Sequence, residues 1–249
     1  MKALITGASS GIGRDMARYL SSKGYSLILV ARNDIKMLEL KNELKTDVKI
    51  IASDLSIKEN ALKVYELTKD ENVDFLINDA GFGIFGNFEE TDIEKEINLI
   101  NTNVIALHIL TKLFLKDMKR KNSGYILNVS SMASFSPGPL MAAYYASKAY
   151  VTSLTRGISR ELKESKSNVK ISCLCPGPVD TNFNNVANVK FSIKPMTSEY
   201  VAKYAVDKTL EGKELIIPGT RNKILHAISK VTPSRISSKV VYKNQTRKI

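Results

Sequence analysis

Short β-branched and aliphatic runs alternate with longer amphipathic stretches along most of the 249-residue chain. Continuous apolar runs bounded by polar or glycine-containing joints read as buried strands at 2–6 (KALIT), 26–30 (SLILV), 48–53 (VKIIAS), 73–78 (VDFLIN), 124–130 (GYILNVS), 169–175 (VKISCLC) and 214–218 (ELIIP). Helical periodicity fills the gaps near 12–23, 34–45, 57–70, 92–119, 141–165 and 198–210. In the long 92–119 stretch Ile97, Ile100, Val104, Leu107 and Leu110 recur at the spacing of one buried helix face. Strands separated by helices run parallel, because each crossover returns the chain to the same end of the sheet. The expected fold is α/β: a Rossmann-like, doubly wound seven-stranded parallel sheet in three α/β/α layers. In such sheets ligands bind beyond the carboxyl ends of the strands, where the winding reverses, so the loops after the strands are where chemistry is sought.

Composition changes this picture little. Apolar residues at 43% and charged residues at 25% are ordinary for a globular chain and exclude disordered or fibrous classes. Five residues precede the first glycine-rich turn in MKALITGASSGIG, too few for a secretory apolar core, and no run reaches the roughly 18 apolar residues of a membrane span. A cytoplasmic setting is expected. Cys173 and Cys175 lie two apart in one strand run, and His108 and His226 fall in unrelated segments, so buried free thiols are expected and no metal site. The net charge of +12 is unevenly spread: residues 221–249 carry eight Lys/Arg and no Asp/Glu, leaving +4 for the rest. This divides the chain into a body at 1–220 and a basic amphipathic extension at 221–249. The tail can engage an anionic surface or simply be solvated.

The first strand runs directly into Thr6-Gly7-Ala8-Ser9-Ser10-Gly11-Ile12-Gly13, and a helix begins at once. Glycines let the backbone turn sharply and let a pyrophosphate approach amides at the helix N-terminus, where the dipole favours anions. The second strand ends at Arg32, whose guanidinium suits the 2′-phosphate of NADP(H); an acidic residue there would instead bind ribose hydroxyls, and nearby Asp34 keeps NAD(H) as the alternative. Asp54-Leu55 closes the third strand, placing a carboxylate acceptor for the adenine amino group or, equally, a helix cap.

Five motifs in order now resemble the short-chain dehydrogenase/reductase family over about residues 1–220: Thr6 to Gly13, Asn78-Asp79-Ala80-Gly81, Ser130-Ser131, Tyr144-x-x-x-Lys148, and Pro176-Gly177-Pro178-Val179-Asp180-Thr181. The closest character within the family is that of NADP-preferring hydroxysteroid dehydrogenases and carbonyl reductases. Tyr144 and Lys148 share a helix face one turn apart, where an ammonium would lower the phenol pKa toward the working range. The resemblance implies that Tyr144 protonates the carbonyl oxygen as hydride arrives, that Lys148 also holds the nicotinamide ribose, and that Ser131 polarises the carbonyl, with Ser130 its rival. It implies that Asn103 holds a water in the proton relay, with Asn101 nearest, and that Tyr145 fits the motif less well than Tyr144. Cofactor contacts are implied for Gly7, Ser9, Ser10, Gly11, Ile12, Gly13, Asn78, Ala80, Gly81, Pro176, Gly177, Val179 and Thr181. Asp79 stands where the family usually has asparagine, exchanging an amide for a carboxylate that does not normally donate. Altered stability or local pKa is the expected result, not lost catalysis.

After Thr181 a patternless stretch, NFNNVANVKFSIKPMT, suggests a functional lid. Phe183, Val186, Val189, Phe191, Ile193 and Met196, with Phe135, Pro137 and Met141 opposite, are expected to line an apolar pocket, where Lys190 and Lys194 are able to receive an acidic group. In the tail, Ile224, Leu225, Ile228 and Val231 form one apolar stripe before Pro233 breaks the helix, to pack on the body and cover the substrate pocket, form a subunit contact or lie on an anionic membrane surface. The reading that follows is an NADPH-dependent oxidoreductase of a small apolar carbonyl or secondary alcohol, assembled as a homodimer or homotetramer, with no nucleic-acid partner. Competing readings are a non-catalytic NADP(H)-binding sensor or scaffold and a membrane-surface adaptor working through the tail.

Overall fold

In the computed structural model, which describes residues 1–183 and 195–246, each expected strand forms at the run that predicted it, β2 alone reaching one residue past its run. Strands β1 (Lys2–Thr6), β2 (Ser26–Ala31), β3 (Val48–Ala52), β4 (Phe75–Asn78), β5 (Tyr125–Val129), β6 (Lys170–Leu174) and β9 (Leu215–Ile216) form one sheet in the order 3-2-1-4-5-6-9. Every pairing is parallel. The winding direction reverses between β1 and β4, and this switch point is where the site must be sought.

The central strands are buried on both faces, so they read as continuous apolar runs and not as an alternating pattern. On one face Ile5, Leu27, Leu29 and Ile77 pack under α1 (Gly11–Ser22), α2 (Asp34–Glu43) and α7 (Ser198–Leu210). On the other Leu4, Ile28, Leu76 and Ile126 meet α3 (Lys58–Glu66), α5 (Leu107–Lys121) and α6 (Ala142–Glu164). The Tyr19 hydroxyl on α1 donates to the Asp207 carboxylate on α7 at 2.7 Å.

Two departures from regular structure bear on function. The stretch expected as one helix at 92–119 is α4 (Ile93–Ile100) and α5 joined by a π-helical turn, Asn101–Ala106. Such a turn adds a residue to the helix and re-aims the side chains on it. Two short strands, β7 (Val179–Asp180) and β8 (Met196–Thr197), also pair in parallel beside the main sheet and fix the ends of the segment between them.

The tail differs more. α8 (Thr220–Ser229) ends before a short turn, and Pro233 leads into α9 (Ser234–Thr246); proline suits a helix entry, where its missing N–H is not needed. Packing of the Ile224, Leu225, Ile228 and Val231 stripe on the body is not observed, as all four are exposed. The inward side of α8 is Asn222 and His226, whose ring lies 4.1 Å from that of Phe135.

Candidate active site

The β1–α1 turn is built to admit a ligand's backbone-binding end. Gly7 and Gly11 adopt φ of 71° and 55°, which side-chain-bearing residues rarely take. A Cβ on Gly7 would stand 2.8 Å from the Ala80 amide nitrogen, and one on Gly13 would stand 2.7 Å from an Asp79 carboxylate oxygen. At the start of α1, Ser10 makes no side-chain cap and no acidic residue enters the first turn. The first amides of the helix therefore keep their capacity for an anion.

From this turn a cleft of about 750 Å³ runs across the carboxyl ends of β1, β2, β4, β5 and β6. Of the expected site residues it brings together Gly7, Ser9, Ser10, Gly11, Ile12, Arg32, Asp54, Leu55, Ala80, Gly81, Ser131, Tyr144, Lys148, Pro176, Gly177, Val179 and Thr181. Gly13, Asn78 and Asn103 do not line it. At the far end Lys36 joins Arg32, whereas Asp34 is turned to the first amides of α2. Asp54 accepts from the Ser56 amide at 2.9 Å, a local turn, while Asn33 caps α2 and Ile57 precedes α3.

Asn78 and Asp79 stand the other way round from expectation. Asn78 is buried and donates to Thr111 Oγ1 at 3.0 Å and Asn128 Oδ1 at 2.9 Å, tying β4 to α5 and β5. Asp79 is the one that faces the cleft. Loss of hydration raises its carboxyl to about 7, against the opposing pull of Lys148 and the Gly13 N–H that it accepts.

Three groups of the expected catalytic set meet on one wall. Ser131 ends β5 and starts a short 3₁₀ turn, Met132–Phe135, its oxygen accepting from the Ala133 amide at 3.1 Å. Its hydroxyl lies near enough to the Tyr144 phenol to favour the phenolate. Ser130 is committed elsewhere, donating to the Lys148 carbonyl at 2.8 Å and sharing a hydrogen with Thr152. One turn along α6 from Tyr144, the buried Lys148 ammonium donates to the Val129 carbonyl at 2.9 Å and lies 5.8 Å from the Tyr144 ring centre. The expected lowering of the phenol pKa is not found. Burial drives the Tyr144 pKa upward, because the ammonium is anchored on a carbonyl of β5 and not on the phenol oxygen. Burial lowers the Lys148 pKa, with Asp79 opposing.

Asn103 sits on the π turn, where its side chain grips the backbone of Phe82: Oδ1 accepts from the amide at 3.1 Å and Nδ2 donates to the carbonyl at 2.9 Å. Nδ2 also donates to Ser147 Oγ at 3.0 Å, and Ser147 donates to the Tyr144 carbonyl. Asn103 thus ties the loop after β4 to the first turn of α6.

Beside Tyr144 an apolar wall forms from Phe85, Met141, Tyr145 and Phe183. Phe135 lies outside it, packed instead toward Cys173, Cys175 and Ile217, and Met196 joins the core under α7. Val186, Val189, Lys190, Phe191, Ile193 and Lys194 lie outside the described residues. The two cysteines are free and buried. Among the described residues no group of His, Cys, Asp and Glu is disposed to hold a metal.

The tail does border the cleft, one of the alternatives the sequence offered, but through residues other than its apolar stripe. Arg221, Val241, Asn244 and Gln245 line the cleft, and the buried Gln245 donates from Nε2 to the Tyr145 hydroxyl at 3.1 Å. Tyr145 is held in turn by Gly138, where a Cβ would fall 2.0 Å from the ring.

Comparison with known proteins agrees with this architecture. The model of the short chain dehydrogenase family matches residues 1–190. A 7beta-hydroxysteroid dehydrogenase of Mediterraneibacter gnavus is 28% identical over 227 residues, covering 88% of this chain and 86% of its own. The short-chain dehydrogenase from Sphingobium yanoikuyae, solved in complex with NADPH, superposes with a TM-score of 0.82 at 27% identity, over 92% of this chain and 93% of that one. A bulky-bulky ketone specific alcohol dehydrogenase from Comamonas testosteroni gives a TM-score of 0.80 at 25% identity, over 95% and 93% of the two chains.

Proposed function

Because the chain belongs to the short-chain dehydrogenase family and is thereby an NAD(P)-dependent oxidoreductase acting on CH–OH and C=O groups, we propose that it reduces a bulky, largely apolar ketone with NADPH through Ser131, Tyr144 and Lys148. The observation that carries this reading is the convergence of those three side chains on one wall of a cleft that begins at the glycine turn. The residues fit the cofactor: Gly7 and Gly13 let the turn pack tightly against Asp79 and Ala80, and the uncapped start of α1, with Gly11 at its first position, suits a pyrophosphate. Arg32 and Lys36 together favour a 2′-phosphate over a bare ribose. The Sphingobium relative is solved with NADPH, in keeping with that preference.

When bound, NADPH supplies the hydride to the carbonyl carbon. Tyr144 supplies the proton to the carbonyl oxygen; burial opposes its ionisation, and the nearby Ser131 hydroxyl, which favours the phenolate, offsets this. Ser131 donates a hydrogen bond to the same oxygen, stabilising the charge that develops there. Lys148 holds positive charge near the phenol ring while anchored to Val129, and Asn103 braces the same part of α6 through Ser147. The apolar wall of Met141, Tyr145 and Phe183 sets a substrate class of bulky hydrophobic ketones, as in the Comamonas relative's own specificity.

The body at 1–220 carries the chemistry, and 221–249 closes one side of the cleft. Ile93, Ile97 and Ile100 on α4 and Tyr150 on α6 remain exposed on adjacent helices, which supports a homodimer or homotetramer built there. Free, buried cysteines suit a reducing, cytoplasmic setting. The deciding experiment is NADPH oxidation against a panel of bicyclic and aryl ketones, with wild type and Tyr144→Phe side by side. Turnover that vanishes in the variant while NADPH still binds supports the mechanism; turnover equal in both, or in neither, refutes it.

A further inference from the structure

The outer side of α8 and α9 is used by neither the cleft nor the core. On α8, Asn222 and His226 turn inward, which directs Ile224, Leu225 and Ile228 away from the body. Val231 follows, and on α9 Ile236 and Val240 stand one turn apart, with Tyr242 beyond. These seven side chains are between 45% and 82% exposed. Single exposed aliphatics are ordinary, but seven along one short segment mark a surface that something covers.

Charge identifies what covers it. Lys230, Arg235, Lys239 and Lys243 are interleaved with the apolar residues, Lys223 lying instead 5.8 Å from the Tyr204 ring centre on α7, and residues 221–249 hold no acidic residue. Among the described residues none of these four cations is in an ion pair. A second copy of this face would set cation against cation in any self-complementary contact, with no acid to relieve it. Nucleic acid would satisfy the cations but has no use for projecting aliphatics among its phosphates. An anionic bilayer accepts both, taking aliphatic side chains at the acyl boundary and ammonium groups among the phosphates.

We propose that the outer face of α8 and α9 docks on an anionic lipid bilayer. The same segment lends Arg221, Val241, Asn244 and Gln245 to the cleft wall, so docking sets the cleft beside the reservoir in which a bulky apolar ketone dissolves. Only this last consequence rests on the catalytic reading; the docking does not.

The test is co-sedimentation of the full chain with vesicles of phosphatidylcholine alone and of phosphatidylcholine with one-third phosphatidylglycerol, at about 0.1 M and about 0.5 M salt. Partition onto anionic vesicles at least about tenfold above neutral ones, and lost at high salt, is expected. Arg235→Ala/Lys239→Ala/Lys243→Ala weakens it about a hundredfold, and Ile224→Glu/Ile228→Glu at least about tenfold, with NADPH affinity and melting temperature unchanged in both. Equal partition onto the two vesicle types, or onto neither, overturns the proposal. So does dissociation of an oligomer by Ile224→Glu/Ile228→Glu in sedimentation velocity, which marks a subunit contact, or duplex DNA binding indifferent to that variant, which marks a nucleic-acid surface. Vesicle binding is read without turnover, so failure of the ketone assay and failure of docking are told apart.

Discussion

Replacing Asp79 by asparagine should stabilise the protein, and increasingly so as pH rises. The Asp79 carboxyl is lifted from an ordinary 3.8 to about 7 by loss of hydration at the floor of the cleft. A group whose folded pKa lies above its unfolded value contributes fully below the unfolded pKa and loses that contribution as pH rises through the folded one. Wild type therefore loses stability between about pH 4 and pH 7 that Asp79→Asn keeps. A shift of about three pH units corresponds to about 4 kcal/mol, an upper bound because the side chain borders a cleft open to water; about 2 kcal/mol at pH 8 is the working figure. The amide oxygen still accepts from the Gly13 N–H, so local geometry survives. Urea unfolding from pH 5 to pH 9 on both proteins measures the difference directly. A gap that is constant across that range, or that closes toward alkaline pH, would show that Asp79 is not the titrating group and that the reasoning from desolvation is wrong. The variant should also flatten the pH dependence of NADPH affinity, since ionised Asp79 in the cleft repels an anionic ligand.

Tyr144→Phe removes the proton donor and should cut kcat by about a hundredfold to ten-thousandfold with NADPH affinity retained, read by steady-state kinetics against fluorescence titration. Arg32→Ala/Lys36→Ala should weaken NADPH binding by about tenfold to a hundredfold and leave NADH binding nearly unchanged, because only the 2′-phosphate loses its charge-assisted hydrogen bonds; an equal loss for both nucleotides would place the two cations elsewhere in the complex. Gln245→Ala frees Tyr145 of its buried partner, so amide exchange in α9 should accelerate and KM for bulky ketones shift severalfold while kcat holds. Gly138→Ala places a methyl group inside the Tyr145 ring and should disturb the same KM more strongly, with stability falling by about 1–3 kcal/mol in thermal melts.

The parallel sheet was readable because strands buried on both faces leave unbroken apolar runs between amphipathic helices. That same burial hid the orientation of individual strand-end residues. With both faces apolar, nothing in the run FLINDA tells whether Asn78 or Asp79 looks into the cleft, and the structure points Asn78 at Thr111 and Asn128 instead. The π turn at Asn101–Ala106 was equally hidden, since one added residue leaves the apolar spacing on either side intact while it turns Asn103 toward Phe82.

The tail shows the limit of periodicity most clearly. A hydrophobic stripe tells which side of a helix is apolar, and for an isolated domain the inference that this side meets the body is usually sound. In α8 the inward positions are Asn222 and His226, and the stripe of Ile224, Leu225 and Ile228 faces out. In α9 the inward positions include Ser237, Ser238 and Gln245, polar residues that no pattern of burial would select, and one of them completes the cleft wall through Tyr145. Periodicity reads an apolar side as a buried one, yet here the buried positions Asn222, His226 and Gln245 are polar while Ile224, Leu225 and Ile228 are bare. The motifs that define the catalytic body carry no information on this point, because they lie before residue 182 and Arg221, Val241, Asn244 and Gln245 join the cleft wall from after residue 220.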